Sequence, residues 1–304
     1  MKRWVSLVAF APLLAAPLGF GPAGAANESP STPTASSPGY WLVGADGGVF
    51  SFNALFHGSN SAQCASVSPS HAPYVCSIAI GATPDGGGYT IVNPLSSGSP
   101  QFGDAAGASS CAVHTVAPSG PGVMPADAWR GIAATPSGQG YWLVGYQGGI
   151  ASCGDASFYG DSLRELAASA RVGIAGTVDG KGYWVVAEDG GVFSFGDAPF
   201  YGSMGGKPLN QSIVGMAATP DGKGYWLVAS DGGIFCFGDA AYSGSEGGKP
   251  LDAPMVGIAA NLDGTGYWTA AADGGVFALG DAPFKGSMGG KHLNWPVNGI
   301  ASKR

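Results

Sequence analysis

Three sets of residues in this chain have types suited to chemistry: four histidines, five cysteines and two recurring series of aspartates. His57, His71 and His114 fall in or beside two long connections, 59–76 and 108–129, while His292 lies apart. Imidazoles grouped this way admit a metal or acid/base site on one face, or plain surface histidines. Cys64, Cys76 and Cys111 sit in the same connections, Cys153 and Cys236 in strand-like segments, and their spacing matches no zinc pattern. Asp46, Asp189, Asp231 and Asp273 open tight turns, and Asp104, Asp155, Asp197, Asp239 and Asp281 each follow a glycine. Side-chain capping of turn amides explains both series. Calcium is the alternative reading, and one acid per turn is thin for an ion that takes six to eight oxygens. Paired carboxylates for glycoside hydrolysis would come from Asp85, Asp104, Asp127 and Asp155, and that chemistry requires a separation of roughly 5–10 Å. Neither a G-x-S-x-G elbow nor an H-E-x-x-H helix occurs. No cofactor is expected.

The elements that must position these groups are announced by repetition. A Gly-Tyr core recurs with its tyrosine at 40, 89, 141, 183, 225 and 267, at steps of 49, 52, 42, 42 and 42 residues. In 215–248 the unit reads as a short strand, a Thr-Pro-Asp-Gly turn, an aromatic strand 225–229, an Asp-Gly-Gly hairpin, a strand 234–237 and a fourth strand 242–245. Nothing in it has helical periodicity. Four strands in about 42 residues is the length of a β-propeller blade. The first strand of the unit occurs at Ile78, Ile132, Ile174, Met216, Ile258 and Ile300, so the chain starts on a second strand and ends on a first one. The fold expected is therefore all-β: a six-bladed β-propeller of four-stranded blades, its ring closed by the C-terminal strand joining the first blade. The adjacent Tyr and Trp of each second strand point to opposite faces, and both are expected to be buried between blades, with aromatic platforms for sugars or bases as the alternative.

Segment 1–25 reads as a signal peptide, with Lys2 and Arg3, an apolar run and an Ala23-Gly24-Ala25 cleavage site, and 26–38 as a Ser/Thr/Pro-rich linker. The propeller then occupies 39–304. Removing Lys2 and Arg3 leaves 11 basic against 20 acidic residues, a net charge of −9, which gives no footprint for nucleic acid or an anionic membrane. A secreted, extracellular monomer is expected, without membrane insertion after cleavage. In that compartment the loop cysteines read as disulfides, Cys64–Cys76 and Cys111–Cys153, leaving Cys236 free and buried.

Blades 4 and 5 share 27 of 42 positions, so a unique site belongs where repetition breaks, in blades 1 to 3. There Asn53 replaces Gly-Asp, Thr90 replaces the Trp, and Tyr146-Gln147 replaces the start of a hairpin, while 161–166 has the makings of a short helix. The two long connections leave on the side of the Asp-Gly-Gly hairpins. The ligand face is accordingly placed on Asp46, His57, His71, Tyr74, His114, Trp129, Tyr146 and Gln147.

Two resemblances are carried by these residues. Thr219-Pro220-Asp221-Gly222-Lys223-Gly224-Tyr225-Trp226 resembles the Asp-box of sialidase-type propellers, with the Gly displaced by one and Tyr225 in place of Thr. In that family the box is a structural hairpin away from the active site, so it implies fold. A sialidase would also need an arginine cluster, and Arg130, Arg164, Arg171 and Arg304 carry no recognisable motif. Over about 265 residues the unit is similar to the Gly-rich "GYWLVASDGGVFSFGDAPFYGS" repeats of secreted actinobacterial proteins, which often accompany cell-wall hydrolases. The expected function is a binding or scaffold module for an extracellular glycan or cell-surface protein. A propeller glycoside hydrolase or lyase using the acids and histidines of blades 1 to 3, and a surface-layer protein, stand as alternatives.

Overall fold

The computed structural model describes residues 38–62, 76–94, 99–105, 111–114, 128–163 and 169–303, all within one compact unit. Among these residues the strands form six antiparallel sheets. The most regular are β10 (Arg171–Gly176), β11 (Gly182–Ala187) and β12 (Val192–Gly196); β13 (Ile213–Ala218), β14 (Gly224–Ala229) and β15 (Ile234–Gly238); and β16 (Met255–Ala260), β17 (Gly266–Ala271) and β18 (Val276–Gly280). They are blades 4, 5 and 6. Blade 2 is β3 (Ala79–Ala82), β4 (Gly88–Val92) and β5 (Gln101–Gly103). Blade 1 joins β1 (Gly39–Gly44) and β2 (Val49–Phe52) to the C-terminal β19 (Val297–Lys303), which pairs with β1 from Lys303 opposite Gly39 onward.

Blade 3 is different. Its β7 (Trp129–Ala134), β8 (Gly140–Gly145) and β9 (Ile150–Gly154) gain an outer strand, β6 (Cys111–His114), which precedes β7 in the chain and pairs with β9. Cys111 lies directly opposite Cys153, and the two are joined as a disulfide. Among the described residues Cys76 and Cys236 are free thiols, so the expected Cys64–Cys76 bridge does not appear; Cys64 lies outside those residues. Cys236 is only half-buried, opposite Trp226 in the sheet, and burial pushes its thiol up.

The inner strands β3, β7, β10, β13, β16 and β19 pack each against the next, and β19 packs back onto β3, giving a propeller-like ring. Glycine at the inner strands permits this approach: a Cβ on Gly131 would stand 3.1 Å from the Gly173 Cα of the next blade. One alignment needs correction. Ile80, and not Ile78, is the counterpart of Ile132, because Ile80 pairs with Ile91 as Ile132 pairs with Leu143. A two-residue shift keeps a side chain on the same face of a strand, which is why Ile78 fits the pattern equally well.

The middle strand of every blade is buried along its whole length, and its aromatic pair holds the ring together. Each Trp packs on the Tyr of the following blade, with centroid distances of 5.6 Å for Trp142–Tyr183, 5.7 Å for Trp184–Tyr225 and 5.5 Å for Trp226–Tyr267. Trp268 meets Tyr40 at 5.3 Å, which joins the last blade to the first. The rings are therefore core, as their size favours.

The expected fourth strand is absent from five of the six described sheets. In its place runs an irregular segment held by the polar ends of those rings. The Trp226 indole N–H donates to the Ala241 carbonyl at 2.8 Å, and the Tyr267 hydroxyl of the next blade accepts from the Ser243 amide and donates to the Gly244 carbonyl. Side chains thus replace a backbone ladder, and β-propensity carries no signal for that exchange.

Candidate functional site

The channel that the ring encloses is apolar at its waist. Two cavities, of about 310 and 450 Å³, meet there and share Ile80, Ile132, Ile174, Met216, Ile258 and Ile300. The smaller opens among the Thr-x-Asp turns, where Pro84, Pro136, Val178 and Pro220 line it. The larger opens on the hairpin side. One inner-strand residue per blade lines this mouth: Val172, Val214 and Val256 in the regular blades, then Asn298, Ile78 and Arg130 in blades 1, 2 and 3.

Arg130 and Asn298 break an aliphatic ring, and the Asn298 side-chain amide donates to the Ser77 carbonyl at 2.8 Å. The exposed Arg130 guanidinium lies over the exposed Tyr146 ring, 5.3 Å from its centroid. Tyr146 is fixed by its backbone, which donates to the Ala128 carbonyl and accepts from the Arg171 amide. Glu188, which takes the place of Tyr146 in the next blade, lines the same mouth with Ser212, and both also border a neighbouring cleft of about 380 Å³ that includes Lys207 and Asn210. The mouth thus combines a cation stacked on an aromatic ring, a carboxylate in the same lining and an apolar throat.

The residues marked from sequence divide between the two ends of the ring. Asp46, Tyr146 and Gln147 lie on the hairpin side; Asp46 caps its own turn, its Oδ1 accepting from the Gly48 amide at 3.0 Å. The connection after blade 1 is rooted there too, since Asn60 donates to the Gly47 carbonyl and Cys76 to that of Ala45. His71 and Tyr74 lie outside the described residues. His114 ends the outer strand of blade 3, opposite Ile150 and away from the channel. Trp129 is not available to a ligand: at 4% exposure it fills the core against Tyr141 and Leu143.

His57 belongs to the opposite end. Its ring packs against Trp41 and Tyr89, and its amide donates to the Tyr89 hydroxyl. A Cβ on Gly103 would come within 2.9 Å of its Nδ1. It takes the place of Tyr159 and Tyr201, which bond to the Thr-x-Asp turns of the following blades. The sequence reading grouped it with the hairpin-side loops because it precedes one of them by two residues. Those residues run along the blade edge, and the direction of that segment is what sequence does not display.

The described candidate acids, Asp85, Asp104 and Asp155, lie at the Thr-x-Asp turns. Thr83 donates to both Asp85 and Asp104. Burial first, then the hydrogen-bonded Asp85, pushes the Asp104 carboxyl up, while the Gly87 amide and the Thr83 hydroxyl hold Asp85 down. The two carboxylates thus share one hydroxyl donor at a turn. Asp155 accepts from Thr135 and Ser137, and Asp127 lies outside the described residues. Blades 4 and 5 repeat the same turn, with Thr177 and Thr219 donating to Asp179 and Asp221, so the arrangement is part of the scaffold. Among the described residues no group of three or more His, Cys, Asp or Glu side chains is placed to hold a metal ion. No helix among them is long and apolar enough to cross a membrane.

Sequence reasoning missed Arg130, Glu188, Ser212 and Asn298. A signal for two of them was present: Arg130 and Asn298 occupy a position that is valine in each of the three regular blades.

No protein-family model and no curated protein matches the chain. Among solved structures it is similar to a chain of the crystal structure of a nidogen/laminin complex, with a TM-score of 0.53 and 8% sequence identity, over 88% of this chain and 99% of that one. At that identity the likeness is one of fold.

Proposed function

We propose that the chain is a secreted six-bladed propeller, akin to the Gly-rich repeat proteins of actinobacteria, that binds an extracellular protein partner through the hairpin-side mouth of its channel. The observation that carries this reading is the Arg130–Tyr146 stack standing exposed over an aliphatic throat. Arg and Tyr are the side chains that most often dominate protein interfaces. A partner loop presenting an apolar side chain to Ile78, Val172, Val214 and Val256, with a carboxylate for Arg130, fits that chemistry. The fold neighbour comes from a protein complex, and the Cys111–Cys153 bridge suits an oxidising compartment. The monomer is the binding unit, and each blade counts four elements once the side-chain-held outer segment is included.

The apolar waist and the use of Asp85, Asp104 and Asp155 as turn acceptors favour binding over hydrolysis. The test is photo-crosslinking from position 147 on intact cells of the source, followed by the same experiment with Arg130→Ala/Tyr146→Ala. Adducts to a discrete surface protein that vanish in the double variant support the reading. Adducts unchanged by the double variant, or sugars released from cell-wall polysaccharide by the parent protein, would sink it.

A further inference from the structure

The hairpin that carries Tyr146 is held from behind by a charged residue buried in the next blade. Arg171 opens β10 opposite Ala187, the place that Ile213 takes opposite Ala229 and Met255 opposite Ala271. Trp129 takes it opposite Gly145 in blade 3, and Val297 opposite Gly44 in blade 1. Those four side chains are apolar and at most 4% exposed, and Arg171, at 1%, is buried as deeply. Taking a cation out of water is costly, and replacing buried ionic groups by well-packed apolar ones often leaves a protein as stable or more so. Stability alone therefore gives no reason for an arginine at this place.

What the guanidinium touches points to another use. Its Nε donates to the Ser162 hydroxyl at 2.9 Å, its Nη2 to the Ser162 carbonyl at 3.1 Å and its Nη1 to the Ser169 carbonyl at 2.6 Å. Its Cζ also lies over the Phe193 ring, 4.5 Å from the centroid. Ser162 is 1% exposed and sits in a turn where the Asp161 Oδ1 accepts from the Leu163 amide. The Ser162 amide donates to the Gly148 carbonyl and the Arg171 amide to the Tyr146 carbonyl, so both residues are tied to the hairpin 145–149. Blades 4 to 6 use the same backbone latch, from Met204, Glu246 and Met288 to Gly190, Gly232 and Gly274. In blade 4 the side chains behind it are apolar, since a Cβ on Gly190 would meet Met204 and Ile213. Behind the blade 3 hairpin Ser162 and Arg171 take their places, and a Cβ on Gly148 would run into the Ser162 hydroxyl. The hairpin itself differs as well: φ is 98° at Gly148, against 76°, 84° and 80° at Gly190, Gly232 and Gly274.

We propose that Arg171 is a positioning residue for the channel mouth: its planar fork, acting through Ser162, sets the 145–149 hairpin so that the Tyr146 ring lies under Arg130. A guanidinium that bonds one residue at two atoms fixes direction, which an aliphatic contact does not. The use of that setting rests on the reading of the mouth as a protein-binding site, because a ring already held in place costs less to bind.

The test compares the parent with Arg171→Ile/Ser162→Met, which installs the apolar pair found behind the blade 4 hairpin. In nuclear magnetic resonance the Tyr146 ring should displace the Arg130 side-chain protons upfield in the parent, relative to Tyr146→Leu, which lacks the ring. The double variant should unfold at the parent's guanidinium midpoint or above it, yet lose most of that displacement. Its crosslinks from position 147 to the surface protein should fall about 10-fold. Should the double variant not fold, Ser162→Ala, which deletes one acceptor and keeps the turn, should lower both readouts by about 3-fold. The proposal is overturned if the parent shows no displacement, or if a folded Arg171→Ile/Ser162→Met or Ser162→Ala variant keeps it in full. Failure of the binding reading is seen separately, as a parent that crosslinks to nothing, and the ring displacement decides on Arg171 in that case too.

Discussion

Blades 4 to 6 and blades 1 to 3 share one backbone plan, yet at equivalent positions they hold different things. The regular sector places Val172, Val214 and Val256 at the channel mouth and Trp184, Trp226 and Trp268 between blades; the irregular one has Asn298, Ile78 and Arg130 at the mouth and Thr90 in place of one Trp. It also replaces a Gly-Asp turn by Asn53, the one described non-glycine residue with positive φ, at 50°, a conformation asparagine tolerates. And it adds β6, covalently tied to β9. Repetition secures a ring, and the departures fall at the mouth, in one seam, at one turn and on the outer edge of one blade.

The sharpest way to break this comparison is alkali, because the middle-strand tyrosine is the one ring found in all six blades. Burial raises the hydroxyls of Tyr40, Tyr89, Tyr141, Tyr183, Tyr225 and Tyr267 above the ordinary 10.0, and pushes Tyr183 and Tyr267 up to about 12. A group whose folded value is raised contributes stability that is complete below its unfolded value and lost as pH climbs through the folded one. Stability should therefore be flat up to pH 10 and collapse between pH 10 and about 12, as one transition. Circular dichroism and tyrosinate absorbance at 295 nm should move together. Two separate transitions would mean the two sectors are independent units.

Trp226→Ala comes next. It removes a ring with no exposed surface, its contact with Tyr267 and its hold on Ala241, and should lower stability by about 3–5 kcal/mol in guanidinium unfolding. Thr90→Ala, at the corresponding place in blade 2, should lower it by less than half as much, since no indole fills that seam. Equal losses would show that blade 2 is as tightly specified as blade 5. The disulfide ranks third. Closing a sequence separation of 42 residues, it should be worth about 2–4 kcal/mol, so Cys111→Ala/Cys153→Ala is expected to weaken blade 3 and release β6 while leaving hydrogen exchange of β13 to β18 protected. Loss of protection in those strands would make β6 part of the common scaffold.

Much of this was readable from residue order. The period, the Tyr-Trp strand and the Asp-Gly-Gly hairpin follow from local chemistry, and the terminal phase implies that β19 joins β1. The Cys111–Cys153 pair was also expected, because cysteines in the long loops of an exported chain read as disulfides. The outer segment was not legible, because what holds Ala241 and Gly244 is a Trp and a Tyr from two different blades. Trp129 reads from sequence as a ligand-face residue and is core because it starts an inner strand, at the position of the buried Ile213 and Met255. His57 and Tyr146 appear as two loop residues of one sector, and only the path of the blade edge sends them to opposite ends.

The smallest effect on stability should come from the pair that matters most to the proposed function. Arg130 and Tyr146 are exposed, and their contact is the one interaction that Arg130→Ala/Tyr146→Ala deletes in full. An exposed cation–π pair contributes about 0.5–1 kcal/mol, so the double variant should unfold within about 1 kcal/mol of the parent. Two further substitutions sharpen the point: Arg130→Val, which restores the residue of the regular blades, should hold or raise stability, and Val214→Arg, its reverse in blade 5, should be tolerated at a mouth open to solvent. If Arg130→Val instead unfolds the protein, the arginine is scaffold and the mouth loses its claim to be the site. If it is stable and no longer crosslinks to a partner, the departure from repetition serves binding.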